Sequence, residues 1–392
     1  MPPTPPPDVV SQFESSPAPQ PSLLTVQLEN LTAYYQDTVD LAQLAMQQEV
    51  SIASSGKPGS QTENFYNMFP LLLVGDIVGI NGDTTVTGLY LSKNVVTVSS
   101  TTVTRANPNV AIINGVPITS AGLMISDAPI IGLRYDYFKV LCLDPMAPAT
   151  TPPMTMEIGS ITASGVSGKP MSPGQPADIT GGDWAITGGT GAFLGVTGQM
   201  GGGGGGGTIR MASVTEDPSQ RRNNAVNANP PATATMGLYV IPLTPPHIIE
   251  VFHAAYGNNA PTPVSLAHPA NVGETLTLYA TGLGPVRYKN EASAWVNVPI
   301  GQLFPANTTV ISPVTVTIGN RMAAIQSATG YPDVSNGYSV EFIVPPVSTA
   351  GLTITSIQIS SAWIRSAVVK LYVFGVPPSL SSDISYLVPI LL

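Results

Sequence analysis

Few residues of this chain could do chemistry: three histidines, one cysteine, scattered carboxylates and one glycine-rich stretch. Nucleophilic catalysis needs a serine or cysteine with a base in reach. His247, His253 and His268 crowd into one region, none of them near Cys142 in sequence. No Gly-x-Ser-x-Gly elbow accompanies them. A zinc site of the His-Glu-x-x-His kind is absent, and a lone cysteine excludes both an intramolecular disulfide and a Cys-based zinc site. Between Leu141 and Leu143, Cys142 has the surroundings of a buried strand residue. Asp76 and Asp83, or Asp333 with Asn336, could supply oxygens to calcium, but the same residue types make turns. The stretch 181–198, GGDWAITGGTGAFLGVTG, invites a phosphate-loop reading. It lacks the lysine and the helix start that such a loop needs. No catalytic, cofactor or metal residue is therefore assigned, and no enzyme is expected.

The elements that would carry these residues are mostly strands. From residue 65 onward, short β-prone runs at 71–80, 86–91, 95–104, 110–113, 130–143 and 154–161 alternate with turn signals such as Asn81-Gly82-Asp83. Many short strands with little helix indicate a barrel or a sandwich. The glycine stretch itself reads as two strands, 184–187 and 192–197, around a tight Gly-Gly-Thr-Gly turn. Residues 1–21 form a proline-rich extended arm. Residues 22–55 read as one amphipathic α-helix, with Leu24, Leu28, Leu31, Tyr35, Val39, Ala42 and Met46 at three- and four-residue steps. Asp37 and Asp40 would share one face of it. The seven glycines 201–207 read as an inserted loop on a barrel rim, although polyglycine can also extend as sheet. Residues 376–392 are an apolar tail that a soluble monomer would have to cover.

Two resemblances join these runs into domains. Ile186-Thr187-Gly188-Gly189-Thr190-Gly191-Ala192-Phe193, with Gly195 and Gly198 beyond, resembles the I-x-G-G-T-G-x-F segment of dirigent-type proteins, which belong with the allene oxide cyclase-like β-barrels. The alternating run 233–243 is similar to the last strand of that family. The resemblance spans 65–243 and is specific at 184–198 and 233–243. It implies a barrel that binds phenoxy-type radicals without a cofactor, using inward acidic, Arg and Tyr groups; Asp76, Arg134 and Tyr135 are available. Residues 248–375 resemble an immunoglobulin-like β-sandwich of secreted bacterial surface proteins, of acidobacteria type. The matching motifs are Thr281-Gly282-Leu283-Gly284-Pro285, the 314–319 strand with its Gly319-Asn320 turn, and the 338–345 strand. Asn320 stands where the module has a second glycine, and Asn tolerates positive φ. The resemblance makes His253 and His268 structural.

Composition narrows the function further. Charged residues are only 9% of the chain, against about 25% in a typical globular protein. Such a surface has little charge repulsion to oppose self-association. The net charge of −9 with 14 basic residues argues against nucleic acid. No run of about 18 apolar residues exists to form a transmembrane helix. The start, MPPTPPP, lacks the basic and apolar parts of a secretory signal, so export would use another route or a leader already removed. The expectation is mainly β architecture in a secreted, extracellular or cell-surface structural subunit whose partner is itself, in an oligomer or filament. A dirigent-like barrel for a small hydrophobic or phenolic ligand is one alternative. A carbohydrate-binding surface module, with Trp184, Trp295 or Trp363 as the glycan platform, is another.

Overall fold

A computed structural model describes residues 21–35, 52–54, 60–65, 70–96, 99–104, 111–113, 116–118, 123–124, 132–144, 154–167, 183–207, 210–212, 216–226, 230–254, 261–347 and 350–375. The chain is mainly β. It divides into two compact units, one of residues 23–189 and 196–240, the other of 1–22, 190–195 and 241–392.

The first unit is a closed antiparallel barrel of eight strands. They are β1 (Ser22–Tyr35), β2 (Pro70–Ile80), β3 (Val86–Val96), β4 (Gly132–Leu143), β5 (Thr155–Ser167), β6 (Asp183–Gly191), β7 (Thr197–Gly206) and β8 (Thr233–Ile241). Each strand pairs with the next along the chain, and β1 pairs with both β8 and β2, so no edge remains in the ring. Period-two alternation directs the packing. On β4, Asp136, Phe138, Val140 and Cys142 are buried while Tyr135 and Leu143 are exposed; on β8, Met236, Leu238 and Val240 are buried while Tyr239 and Ile241 are exposed. Cys142 is a buried thiol in the barrel wall. Further short strands lie between barrel strands: a four-stranded sheet (Ile52–Ser54, Ser60–Phe65, Ser99–Thr104, Leu123–Met124) and a hairpin (Ala111–Ile113, Val116–Ile118).

The expected helix over 22–55 is overturned where the chain is described: Ser22–Tyr35 is β1, and Ile52–Ser54 is extended too. The barrel accordingly begins well before residue 65. Leu24, Val26 and Leu28 are buried at a two-residue step. Asn30 then takes φ 55° and the pairing with β2 slips between Glu29 and Thr32, so the next buried leucine is Leu31. That β-bulge produces a three-residue step resembling helical spacing. Asp37, Asp40, the arm 1–20 and the tail 376–392 lie outside the described residues.

The glycine stretch also differs from expectation. The hairpin exists, with Trp184 opposite Met200 and Ile186 opposite Gly198. Its turn is Ala192–Gly195, not Gly188–Gly191, and Gly191 and Gly195 supply the positive φ, 62° and 67°. Phe193 and Leu194 donate to the carbonyls of Thr190 and Gly191 at 3.0 and 3.2 Å. The polyglycine run is not a loop: Gly201–Gly206 continue β7. A Cβ on Gly198 would collide with the Tyr239 carbonyl, and one on Gly205 would stand 2.5 Å from that of Thr233. Glycine is what lets β7 approach β8 so closely.

In the second unit, β9 (His247–His253), β10 (Thr275–Thr281), β13 (Ala324–Gly330) and β14 (Tyr338–Ile343) form one sheet in the order β9-β10-β14-β13. The other sheet runs from Ala270–Asn271 through β16 (Val369–Gly375) and β15 (Gly351–Ser361) to β11 (Val314–Ile318) and β12 (Arg321–Met322). One core joins them, with Leu276, Leu278, Val340 and Phe342 from the first and Val316, Ile318, Ile357, Ile359 and Leu371 from the second. On the outer side of β10, Tyr279 meets Phe252 and Tyr331 edge-on at 5.5 and 6.3 Å. The Tyr338 hydroxyl donates to the Gly284 carbonyl at 2.6 Å. Gly282 has φ 74°, and a side chain there would collide with the Pro245 carbonyl. In the β11–β12 turn only Gly319 takes a positive φ, 58°, so Asn320 is not asked to.

Candidate functional site

Asp76, Arg134 and Tyr135, which the dirigent resemblance makes available to one pocket, are not brought together. Tyr135 points outward and is 53% exposed. Asp76 pairs with Leu89 across the β2–β3 ladder, whereas Tyr90, one residue on, pairs with buried Phe138. Asp76 therefore belongs to the outer face, and Arg134, in step with Asp136 and Phe138, to the inner one.

Inside the barrel, Arg134 meets residues that sequence reasoning missed. The Tyr90 hydroxyl donates to Asp136 Oδ1 at 2.6 Å. Arg134 Nε donates to Asp136 Oδ2 at 2.9 Å, and Nη2 to the Tyr90 oxygen at 2.5 Å. The guanidinium lies 4.2 Å from the ring centroid of Trp184, which is 1% exposed. Burial first, and the Asp136 charge second, push the Tyr90 hydroxyl well above the usual tyrosine range. These groups serve one another, and large apolar side chains such as Phe138, Ile161, Ile186 and Met200 fill the inward positions beside them. The signal available in the sequence was the alternation of Arg134, Asp136 and Phe138 on one strand face.

Outside the barrel, Asp76 anchors a second cluster. Arg221, the first residue of the short helix α1 (Arg221–Val226), places Nη2 2.6 Å from Asp76 Oδ1 and donates through Nη1 to the Asn30 carbonyl at 3.3 Å. Asn30 donates its amide to Asp76 Oδ2 at 3.0 Å. The bulge, β2 and α1 are thereby clamped at one point. Close by in sequence, Arg210 bonds both Glu216 oxygens, at 2.5 and 2.6 Å. The Arg210 guanidinium holds the Glu216 carboxyl below its ordinary value of 4.5. Because the folded value is lowered, this contribution is full above pH 4.5 and lost as pH falls through the folded value. Amide hydrogen exchange, corrected for intrinsic rate, should show residues 219–226 less protected at about pH 3 than at pH 6 while the β4–β5 ladder keeps its protection. Equal protection at both values would show that the Arg210–Glu216 pair does not hold residues 219–226 in place.

The remaining expected residues serve turns and packing. His253 sits with Nδ1 2.6 Å from Glu274 Oε1 and Nε2 3.0 Å from the His268 carbonyl. Desolvation lowers the pKa of His247. Asp83 accepts from the Thr85 amide at 2.9 Å and Thr85 hydroxyl at 2.6 Å, and Asn336 accepts from the Gly282 amide at 2.9 Å. Of the tryptophans offered as sugar platforms, Trp184 is inside the barrel. Trp295 already stacks with Arg287 at 4.1 Å and Lys289 at 5.0 Å. Among the described residues no helix is long and apolar enough to cross a membrane.

The second unit carries an exposed apolar face. Across the β15–β16 pair, Leu352 stands opposite Phe374 and Ile354 opposite Tyr372. These four share the face turned away from the core, and Leu352, Phe374 and Ile354 are 48%, 48% and 61% exposed. The alternate residues Leu371 and Val373 are buried, so the register itself forces the apolar quartet outward. From Gly375 the chain runs directly into 376–392, VPPSLSSDISYLVPILL, which carries one charge in 17 residues. Comparison with family models, curated proteins and solved structures found no significant match.

Proposed function

We propose that this chain is a structural subunit of an extracellular or cell-surface assembly, such as a filament, and that it associates with further copies of itself. The observation that carries the reading is the exposed quartet Leu352, Ile354, Tyr372 and Phe374 on the outer face of β15–β16. Its occupant in this reading is the apolar segment 376–392 of a neighbouring copy. A contiguous apolar face is stabilised by cover, and a segment with a single charge supplies it without burying an unpaired ion. Low charge over the whole chain supports the same reading. The immunoglobulin-like resemblance of 248–375 to secreted surface modules points to the same setting, and the dirigent-like resemblance of 65–243 is proposed here as kinship of fold. Ligand steering by the barrel is the weaker reading, because Arg134, Asp136 and Tyr90 are engaged with one another among packed apolar side chains.

Light scattering on the purified full chain at tens of micromolar tests the contact. The native chain should exceed its monomer mass of 40.6 kDa, and the double variant Ile354→Lys/Phe374→Lys should return to it. Both substitutions are at outward positions, so circular dichroism should be unchanged. A native chain that stays at 40.6 kDa, or an assembly indifferent to the two lysines, would sink the proposal.

A further inference from the structure

The outer wall of the barrel carries a second surface of different chemistry. Strand register lays two rows of side chains across β2, β3, β4 and β5. Leu72, Lys93, Tyr135 and Ser164 form one row; Val74, Leu91, Tyr137 and Thr162 form the other. Thr187 of β6 extends the second row, its hydroxyl 3.2 Å from that of Thr162. A depression of about 480 Å³ follows these rows, bordered by Leu72, Leu91, Lys93, Tyr135, Tyr137 and Thr187 among others. Four strands about 4.8 Å apart span roughly 14 Å, the length of about three pyranose rings.

We infer that this trough binds an oligosaccharide. Its floor offers two tyrosines, of which Tyr135 is 53% exposed, and each presents an apolar ring face with a hydroxyl at the tip. The hydroxyls of Ser164, Thr162 and Thr187 and the ammonium of Lys93 are at its margins. None of the eight residues in the two rows is a carboxylate; Asp136 also borders the depression, but its carboxylate is bonded to Tyr90 and Arg134 inside the barrel. The Thr162 and Thr187 hydroxyls already bond to each other and to the Gly188 and Thr162 carbonyls, but a purely apolar partner would strip water from the Ser164 hydroxyl and the Lys93 ammonium, at a cost in free energy. A sugar ring meets both demands: its C–H face covers the tyrosines while its hydroxyls pair with the margin. The lysine ammonium donates either to a neutral sugar hydroxyl or to a uronate carboxylate, and the two are separated by experiment. The site is built from barrel strands alone and does not depend on self-association.

Titration calorimetry on the full chain with cellotriose and with trigalacturonate is the test. At least one trisaccharide should bind, and Tyr135→Ala should weaken it about tenfold or more, with circular dichroism unchanged. Lys93→Met should weaken trigalacturonate selectively if a carboxylate meets the lysine, and should affect cellotriose little. The Ile354→Lys/Phe374→Lys variant should bind as the native chain does, which keeps this result independent of the assembly contact. Failure of both sugars to bind, binding that Tyr135→Ala leaves within about twofold of native, or a Tyr135→Ala effect on assembly alone would overturn the inference.

Discussion

Replacing Arg221 by alanine is expected to cost the barrel about 3–5 kcal/mol, the range for breaking a buried ion pair from one side. The side chains of Arg221 and Asp76 are only 10% and 7% exposed, and their atoms approach to 2.6 Å. Without the guanidinium, Asp76 keeps the Asn30 amide but loses the cation that offsets its desolvation. The Asn30 carbonyl loses a donor at the same time, and α1 loses its anchor on the bulge. The melting temperature of the barrel transition should fall by roughly 10 °C. Replacing both partners, as Asp76→Leu/Arg221→Met, should recover most of that loss, because an apolar pair of similar volume leaves no charge to compensate. A melting curve for Arg221→Ala that matches the native one would show that the clamp contributes nothing.

The second large effect is expected inside the barrel, at Trp184. Its ring is buried opposite Met200 on the β6–β7 hairpin and lies beneath the Arg134 guanidinium. Trp184→Ala should destabilise the barrel by about 3–5 kcal/mol through the cavity it leaves. A smaller part, about 0.5–2 kcal/mol, is the lost cation–π contact. Trp184→Phe keeps an aromatic face and should therefore cost much less. Thermal unfolding followed by circular dichroism separates the two variants. Equal losses for alanine and phenylalanine would mean that neither the volume nor the stacked ring matters there.

Strand character from residue 70 onward was readable, because strands half-buried in a barrel or a packed pair of sheets alternate side chains in their sequence. The β4 and β8 runs show this directly. Two stretches misled for definite reasons. In β1 the bulge at Asn30 turns a two-residue period into a three-residue step, and that step is the signature of a helix. In β7 the glycines that suggest a loop are demanded by the close approach of β8, a contact distant in sequence. The same limit applies to sites. Asp76 and Tyr135 were visible as candidates, but only the register separates an outward Asp76 from an inward Arg134. Tyr90 lies 46 positions from Asp136 and gave no local sign of that partnership. The apolar quartet of β15–β16 was hidden for the same reason: its members are adjacent only across the ladder.

Electron microscopy of the purified full chain beside a chain ending at Gly375 tests self-association most directly. Ordered polymers or closed oligomers are expected from the full chain, and separate particles from a folded 375-residue chain that lacks the apolar segment following Gly375. Separate monomers from the full chain, or identical assemblies from both, would contradict it.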